Sequence, residues 1–479
     1  MKSIKKQAIN AIKWTSVSAV LSQIFVVSIS IVKYRLIGPE AFGIMAVATS
    51  SFSILRMVQT MGYGPAIVQQ KEVSKQFENS VFWVIMAISI FLAALVAVSA
   101  GWLAKEFEAN ELSVILPILS ALFVVDGYST MHQYLLSRDL KHKYISLANL
   151  SSTIVGGSVV VALAFYGFGV WSLVYGAIAS SLTTATLYSR FGDWRPKMEF
   201  DVVSIKAASK FSMFMTVNKF VSILRQNIPQ LVIGKVLGTE MLGLFTFARN
   251  LILLVMNKID AMMQAVLFPM FSKLQSDDSA ISSVYHRINH YTFILLFPFL
   301  GGFLLIGHEF IEIVYGPEWL EALLIAKIVL IATVIQSVFS KGSSIIGAKG
   351  KPEILVKIEV LIAIPTLVLI FVAVQYGIIP TVVVMAGAAM VALFFQISEL
   401  KKLVGLKVIG YFQSMQYPLI ATTVMFLGLK LLLRSVLPFP HDVITLAGSV
   451  GLGAFLYCSV LLIFEWSEIK TAVIQIIKS

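Results

Sequence analysis

Basic side chains occur within long apolar segments of this 479-residue sequence, where a charge is costly unless it meets a partner or water. The basic residues considered in these segments are Arg56, Lys219, Arg225, Arg249, Lys258 and Lys327, and the acidic ones are Asp126, Asp260 and Glu359. Guanidinium groups bind phosphate through paired N–H donors. The excess of basic groups therefore predicts an interior that binds an anionic ligand.

The segment around Arg225 is amphipathic when it is projected as a helix at about 100° per residue. Its polar side carries Asn218, Lys219, Ser222, Arg225, Gln226 and Gln230. Pro229 follows shortly after Arg225, and a proline inside a helix removes a backbone hydrogen bond. We therefore expect a helix with a wet, basic face and a break near Pro229.

Three other segments carry polar faces of the same kind. Their residues are Thr246, Arg249, Asn250, Asn257, Asp260 and Gln264 in one, Thr49, Ser53, Arg56 and Thr60 in another, and Asp126, Ser129, Thr130 and Gln133 in the third. The predicted cavity residues are Arg225, Arg249, Arg56, Lys219, Asn218, Gln226 and Asn257, and the candidate ion-coupling residues are Asp126 and Asp260. A structural ion pair between Arg56 and Asp126 is the alternative for those two residues.

Motifs of soluble enzymes are absent from the sequence. There is no nucleophile elbow, no phosphate-binding Gly-x-x-x-x-Gly-Lys and no His-Glu-x-x-His, so no catalytic residue is assigned. The single cysteine and six scattered histidines provide no metal site, and no cofactor is expected. A gradient, not ATP hydrolysed by this chain, is the expected energy source.

The composition indicates a membrane protein, because 58% of the residues are hydrophobic and only 13% are charged. A bilayer is crossed by about 20 apolar residues in a helix, and such continuous runs recur along the chain. A closed barrel would need alternating strands of about ten residues. The predicted fold class is an all-α polytopic membrane protein.

The apolar runs predict about fourteen helices, with soft boundaries. They span residues 12–33, 41–64, 80–104, 112–136, 145–166, 168–189, 208–235, 241–267, 287–307, 320–345, 354–376, 379–398, 411–433 and 443–464. The expected domains are an N-terminal bundle of six helices (1–196), a C-terminal bundle of six (197–400) and two additional helices (401–479).

Loop charges predict the orientation. Most of the 37 lysine and arginine residues fall in segments that are cytoplasmic if the N-terminus is inside, and an even number of helices places the C-terminus there too. The net charge of +12 is therefore a topology signal spread over loops that face membrane lipids, and nucleic acid is not an expected partner.

An internal repeat relates the two bundles. Residues 35–43 align without gaps on residues 235–243, and both copies read basic-x-x-Gly-x-Glu-x-x-Gly. Glycines permit tight turns and a glutamate can cap a helix, so a structural role for this motif is favoured over substrate binding. Two copies of six helices form a parallel repeat, and such repeats place substrate at their interface near the midplane.

With this repeated motif and the outer loop Tyr315-Gly-Pro-Glu-Trp319, the sequence resembles the multidrug/oligosaccharidyl-lipid/polysaccharide exporter superfamily. Within it, the polysaccharide transporter branch of Wzx-type oligosaccharide flippases, including colanic acid exporters, is the most similar. The resemblance implies two six-helix bundles around a cavity, two added helices, and alternating access that moves a lipid diphosphate-linked glycan across the bacterial cytoplasmic membrane. It also allows other polysaccharide assembly proteins as partners.

Two alternatives stay open at this point. A cation-coupled drug or small-solute antiporter would have the same architecture, although the drug exporters of this superfamily often carry an acidic residue in the first helix and residues 12–33 contain none. A membrane-embedded polymerase or glycosyltransferase would need a large outside loop or an acidic catalytic motif, and the outside loops are short.

Overall fold

The computed structural model is helical through most of the chain that it describes. The backbone is described for residues 21–60, 63, 64, 67, 74–274, 276–435 and 440–478. Side chains are described for the same residues except 202–221, 261, 262, 264–266, 268, 269, 434, 435 and 466–478. No strand occurs in these ranges, and the predicted all-α fold class is confirmed.

In the described ranges, six long helices precede the longest polar break. They are α1 (described over 21–36), α2 (Pro39–Thr60), α3 (Lys75–Glu106), α4 (Leu112–Arg138), α5 (His142–Phe165) and α6 (Val170–Phe191). Ser74 begins α3 by accepting a hydrogen bond from Phe77 N at 3.1 Å, which satisfies one of the donors left open in a first turn.

Helix α7 (Val202–Lys273) contains two of the predicted helices. Its residue with non-helical dihedrals is Gly238, at φ 88° and ψ 167°, a conformation that glycine adopts without a side-chain clash. We call residues 202–237 α7a and residues 239–273 α7b. The expected break at Pro229 is wrong, because the helix continues through it and changes direction at Gly238 instead. One lost backbone bond does not interrupt a long helix whose neighbours hold it.

Six further helices follow. They are α8 (Asp278–Val314), α9 (Ala322–Ala348), α10 (Pro352–Ala373), α11 (Ile378–Val404), α12 (Ile409–Ser435) and α13 (Val443–Lys478), with short 3-10 turns at Pro317–Trp319 and Val374–Tyr376. Two of them are kinked, α8 at Ile306 and α13 at Glu465.

Twelve helices of the described residues are long and apolar enough to cross a bilayer, with α7 represented by Ser222–Asp260. Their surfaces carry large apolar side chains that the protein leaves uncovered, such as Phe91, Val98 and Ile444, which are 65%, 85% and 82% exposed. Apolar surface of this extent is stable when lipid covers it. The chain is therefore a multi-pass membrane protein.

The chain divides into two compact units, Met1–Gly243 and Leu244–Ser479. The first unit thus contains α1–α6, α7a and the start of α7b, and the second contains the rest. The three-part division expected from the sequence stays a prediction.

The two copies of the repeated motif meet within the first unit. A Cβ atom on Gly43 would collide with the carbonyl oxygen of Thr239 and lie 3.1 Å from Gly243 N. Reciprocally, a Cβ atom on Gly243 would collide with the carbonyl oxygen of Pro39 and lie 3.2 Å from Gly43 N. Because Pro39 and Thr239 hold the same position in the repeat, the contact is two-fold in character, and it supports the structural role of the motif.

The segment between α6 and α7 is docked onto α3 by buried polar side chains. Asn79 Nδ2 donates to Glu199 Oε2 at 3.0 Å, and Asn79 Oδ1 accepts from Lys197 N at 3.2 Å. Ser80 Oγ accepts from Asp201 N at 2.6 Å. Asn79 and Ser80 are almost fully buried, so this connection is fixed to the first unit along most of its length.

The same connection is held by packing and by an exposed ion pair. The Trp194 ring meets the rings of Phe82 and His132 edge-on, with centroids 5.3 Å away in both cases. Lys141 Nζ donates to Asp193 Oδ2 at 3.1 Å, and this hydrogen bond raises the pKa of Lys141 above its ordinary value.

Helices α12 and α13 pack on α8 in the second unit. A Cβ atom on Gly301 of α8 would lie 2.6 Å from Thr422 Cγ2 and 3.1 Å from Met425 Cε of α12, so the two helices cross closely. Tyr457 of α13 donates its hydroxyl to the carbonyl oxygen of Ile294 at 2.9 Å.

Candidate functional site

Helix α2 carries a polar stripe. Thr49 and Arg56 are exposed, and Ser53 and Thr60, which share their face, are half-buried. A lipid-facing helix exposes apolar side chains, whereas exposed polar groups in a span indicate a water-filled cavity. The structure thus places Arg56 on a polar, accessible face of the span.

Three helices bring polar groups together around Asp126. Arg56 of α2 donates Nη2 to Asp126 Oδ2 of α4, and Ser181 of α6 donates its hydroxyl to Asp126 Oδ1 at 2.7 Å. Both carboxylate oxygens therefore have donors. The ion pair that the sequence allowed as an alternative is present.

The two members of this ion pair differ in exposure. The Arg56 side chain is 51% exposed, against 24% for Asp126. A guanidinium has five N–H donors, and the bond to Asp126 uses Nη2. The carboxylate reduces the cost of placing a cation in the span, and half of the Arg56 side chain stays exposed beside it. This arrangement suits a phosphate oxygen better than a neutral sugar.

The polar face of α7a is described from Ser222 onwards. Gln226 is exposed and donates Nε2 to Ser222 Oγ at 3.2 Å, and Arg225 is half-buried beside it. The side chains of Asn218 and Lys219 lie outside the described residues, so their roles stay predictions. On α7b, Arg249 is half-buried and Asn257 is exposed. Arg225 belongs to the first unit and Arg249 to the second.

The second unit contains an ion pair of the opposite arrangement. Lys341 of α9 lies 3.4 Å from Asp260 Oδ1 of α7b and donates to the carbonyl and hydroxyl oxygens of Ser337, both at 2.8 Å. The hydroxyl of Ser337 donates to the same Asp260 oxygen at 2.5 Å. The Lys341 side chain is 0% exposed and that of Asp260 is 29% exposed.

The two ion pairs therefore differ in the charge that they present. In the first unit the more exposed member of the pair is the cation, Arg56. In the second unit the more exposed member is the anion, Asp260, while Lys341 is fully buried. A cluster that exposes a guanidinium favours anions, and one that exposes a carboxylate favours cations or protons.

Sequence reasoning missed Lys341 and Ser181. Lys341 lies within the predicted helix 320–345 but was not counted among the charges of the spans. Ser337, Lys341 and Ser344 follow an i, i+4, i+7 spacing that would have indicated a polar face. Ser181 carried no such signal, since single hydroxyls are common in membrane helices, where they bond the preceding turn.

Comparison with protein families gives a match over residues 32–324 to a family described as "Polysaccharide biosynthesis protein". Teichuronic acid biosynthesis protein TuaB of Bacillus subtilis is 25% identical to this chain, over 89% of each protein. Lipopolysaccharide biosynthesis protein WzxC of Escherichia coli is 22% identical, over 75% of this chain and 73% of that protein.

Among solved structures, the inward closed conformation of the lipid II flippase MurJ has a similar fold. Its TM-score is 0.74 with 14% sequence identity, and the match covers 95% of this chain and 99% of that one. At 14% sequence identity, the similarity to MurJ shows a shared fold and says nothing about the substrate. The resemblance drawn from the sequence motifs is confirmed by these matches.

Proposed function

Because the chain belongs to this polysaccharide biosynthesis family, we propose that it is a flippase for a lipid-linked oligosaccharide. The substrate is an anionic lipid carrier, an undecaprenyl diphosphate bearing a glycan repeat unit, which the protein moves across the bacterial cytoplasmic membrane for surface polysaccharide assembly. The names of TuaB, WzxC and MurJ support this substrate class. No bond of the substrate is broken, so the protein is a transporter and not an enzyme.

The observation that carries the proposal is the accessible guanidinium of Arg56 on the polar stripe of α2. A diphosphate has several oxygens that accept charge-assisted hydrogen bonds, and Arg56 has donors left after it binds Asp126. The further basic groups proposed for the same ligand are Arg225, Arg249 and Lys219. The amides Asn218, Gln226 and Asn257 are proposed to contact sugar hydroxyls.

Transport is proposed to proceed by alternating access of the two repeated bundles, with both termini cytoplasmic. Asp126 and Asp260 are the proposed ion-coupling residues. The accessible carboxylate of Asp260 supports its part in this assignment, because proton or cation binding would compete with Lys341 for the same oxygen.

Binding of a defined lipid tests the proposal. Purified protein in nanodiscs is titrated with undecaprenyl diphosphate and, separately, with undecaprenol, the neutral alcohol of the same chain length, as the uncharged probe. We expect saturable binding of the diphosphate, weakened at least about tenfold by Arg56→Gln, since a charge-assisted bond contributes about 1.5–3 kcal/mol. Lys402→Gln, at an exposed lysine near the end of α11, is the matched control and should bind as the native protein does.

Two outcomes would contradict the proposal. One is equal affinity for the diphosphate and the neutral lipid. The other is transport of a cationic dye by proteoliposomes that show no diphosphate binding, which would favour the drug antiporter.

A further inference from the structure

A buried histidine and a buried glutamate meet in the second unit, apart from the polar faces described above. His290 lies on α8 and Glu465 on α13, and their side chains are 11% and 5% exposed. His290 Nε2 lies 2.8 Å from Glu465 Oε1. No hydrogen bond of the described residues reaches that oxygen, so it depends on the electrostatic contact with His290.

The contacts of the imidazole determine how many protons the pair holds. His290 Nδ1 lies 2.8 Å from the carbonyl oxygen of Ser414. A carbonyl oxygen only accepts, so Nδ1 carries a hydrogen. Nε2 and the carboxylate oxygen lie 2.8 Å apart, and this contact is attractive when one proton is bound to the pair. The proton belongs either to an imidazolium beside a carboxylate or to a carboxylic acid beside a neutral imidazole.

Loss of this proton would reverse the sign of the contact. His290 would keep its hydrogen bond to Ser414, and Nε2 would present a lone pair to the Glu465 carboxylate. Two hydrogen-bond acceptors at such a short distance repel each other, and burying a carboxylate without a hydrogen-bond donor costs free energy. The contact between His290 and Glu465 is therefore stable only while the proton is bound.

Other titratable groups around the pair belong to the same three helices. On α8 and α12, Tyr285 and Tyr411 share a hydrogen bond through their hydroxyls, and the His286 ring meets Tyr411 with centroids 5.7 Å apart. On α13, Tyr457 is occupied by the carbonyl oxygen of Ile294. Cys458, also on α13, is exposed.

Charged groups from the remaining neighbours have partners of their own. Helix α9 also packs on α8 and brings Lys349, which is paired with Asp278 at the start of α8, as well as the Lys341 pair. Helix α11 brings Glu399, which is paired with Lys402. Arg287, next to His286 along α8, is exposed.

Glu465 is also the residue at which α13 is kinked, with φ −119° and ψ 15°. We propose that His290 and Glu465 form a proton-binding site that holds the hinge of α13 against α8 when the shared proton is bound and releases it when the proton leaves to water. The ligand of this site is a single proton. The proposal goes beyond the lipid substrate and does not depend on it.

The single cysteine of the chain makes the test direct. Cys458, before the hinge, and an Ala472→Cys substitution, after it, are spin-labelled in the full-length protein in nanodiscs, and the distance between the labels is measured from roughly pH 5 to 9. We expect two distance populations that exchange in a one-proton transition, with the second population growing as the pH rises. A distance distribution that is constant over this range would overturn the proposal.

Two variants assign the transition to the pair. Glu465→Gln supplies a fixed N–H donor to Nε2 and should hold the low-pH population at every pH. His286→Gln changes the neighbouring histidine and should leave the transition as it is. A transition that persists in Glu465→Gln, or that disappears in His286→Gln, would contradict the assignment. The native side chains carry the main measurement, so poor folding of either variant does not prevent the test.

Discussion

Gly43 and Gly243 hold the same position in the repeated motif and lie against each other, each with its Cα facing the carbonyl group four residues before the other. The backbones of the two copies therefore approach more closely than any side chain permits. The motif that revealed the duplication in the sequence is also the place where the duplicated segments touch.

Alanine at Gly43 should destabilise the protein. The added methyl group meets the backbone of Thr239, which cannot rotate away. This overpacking should lower the free energy of unfolding by about 1–3 kcal/mol. Thermal unfolding of the detergent-solubilised protein measures the loss. Gly38→Ala is the matched control, because a Cβ at Gly38 meets nothing within 4 Å, and it should melt close to the native protein. Equal melting of the two variants would show that the contact does not form.

Exchange of the charges at Arg56 and Asp126 should separate stability from binding. The variant Arg56→Asp/Asp126→Arg keeps an ion pair between α2 and α4, so it should fold better than either single substitution. It moves the cation from the accessible stripe to the less exposed position, and diphosphate binding should stay at least about tenfold weaker. Recovery of both properties by the exchange would mean that Arg56 has only a structural role.

Removal of the two members of the second ion pair should have unequal costs. Asp260→Ala leaves the fully buried ammonium of Lys341 without its anion, which should cost about 3–5 kcal/mol. Lys341→Met leaves Asp260 partly exposed and still bonded to Ser337, so its cost should be smaller. The double variant should unfold at a higher temperature than Asp260→Ala alone. The opposite order of the single variants would contradict the burial argument.

Asp277 should make the start of α8 sensitive to acid. It accepts hydrogen bonds from Ala280 N at 2.9 Å and from the Ser279 hydroxyl at 2.8 Å, and these bonds lower the pKa of its carboxyl. Because the pKa is lowered, the charged carboxylate stabilises the folded helix end at pH values above about 3.9, the ordinary pKa of an aspartate. This stabilisation is lost as the pH falls through the lower pKa of the folded state.

Hydrogen exchange of the first turn of α8, corrected for intrinsic rates, measures this effect. Protection in the native protein should fall with acid, and Asp277→Asn, which keeps the acceptor but has no charge to lose, should show a flatter dependence on pH. Identical profiles would assign the acid sensitivity to another group.

The helices could be predicted because the length and apolarity of a span are local properties of the sequence. The change of direction at Gly238 was harder to predict, since Pro229 is the stronger helix breaker in isolation and only the packed structure shows that its lost hydrogen bond is tolerated.

Ion-pair partners were partly predictable. Charges are rare in spans, so Arg56 and Asp126 had few alternatives, whereas His290 and Glu465 lie near the ends of spans, where polar residues are common.

The first unit extends past the connection between the bundles to Gly243, and this has a consequence for biosynthesis. A ribosome delivers α1–α6 to the membrane before the residues that cover Gly43 exist. Until α7a and the first turn of α7b emerge, the backbone at Pro39 and Gly43 lacks its counterpart. The backbone contact that completes the first unit therefore forms only after residues of the second repeat have been synthesised.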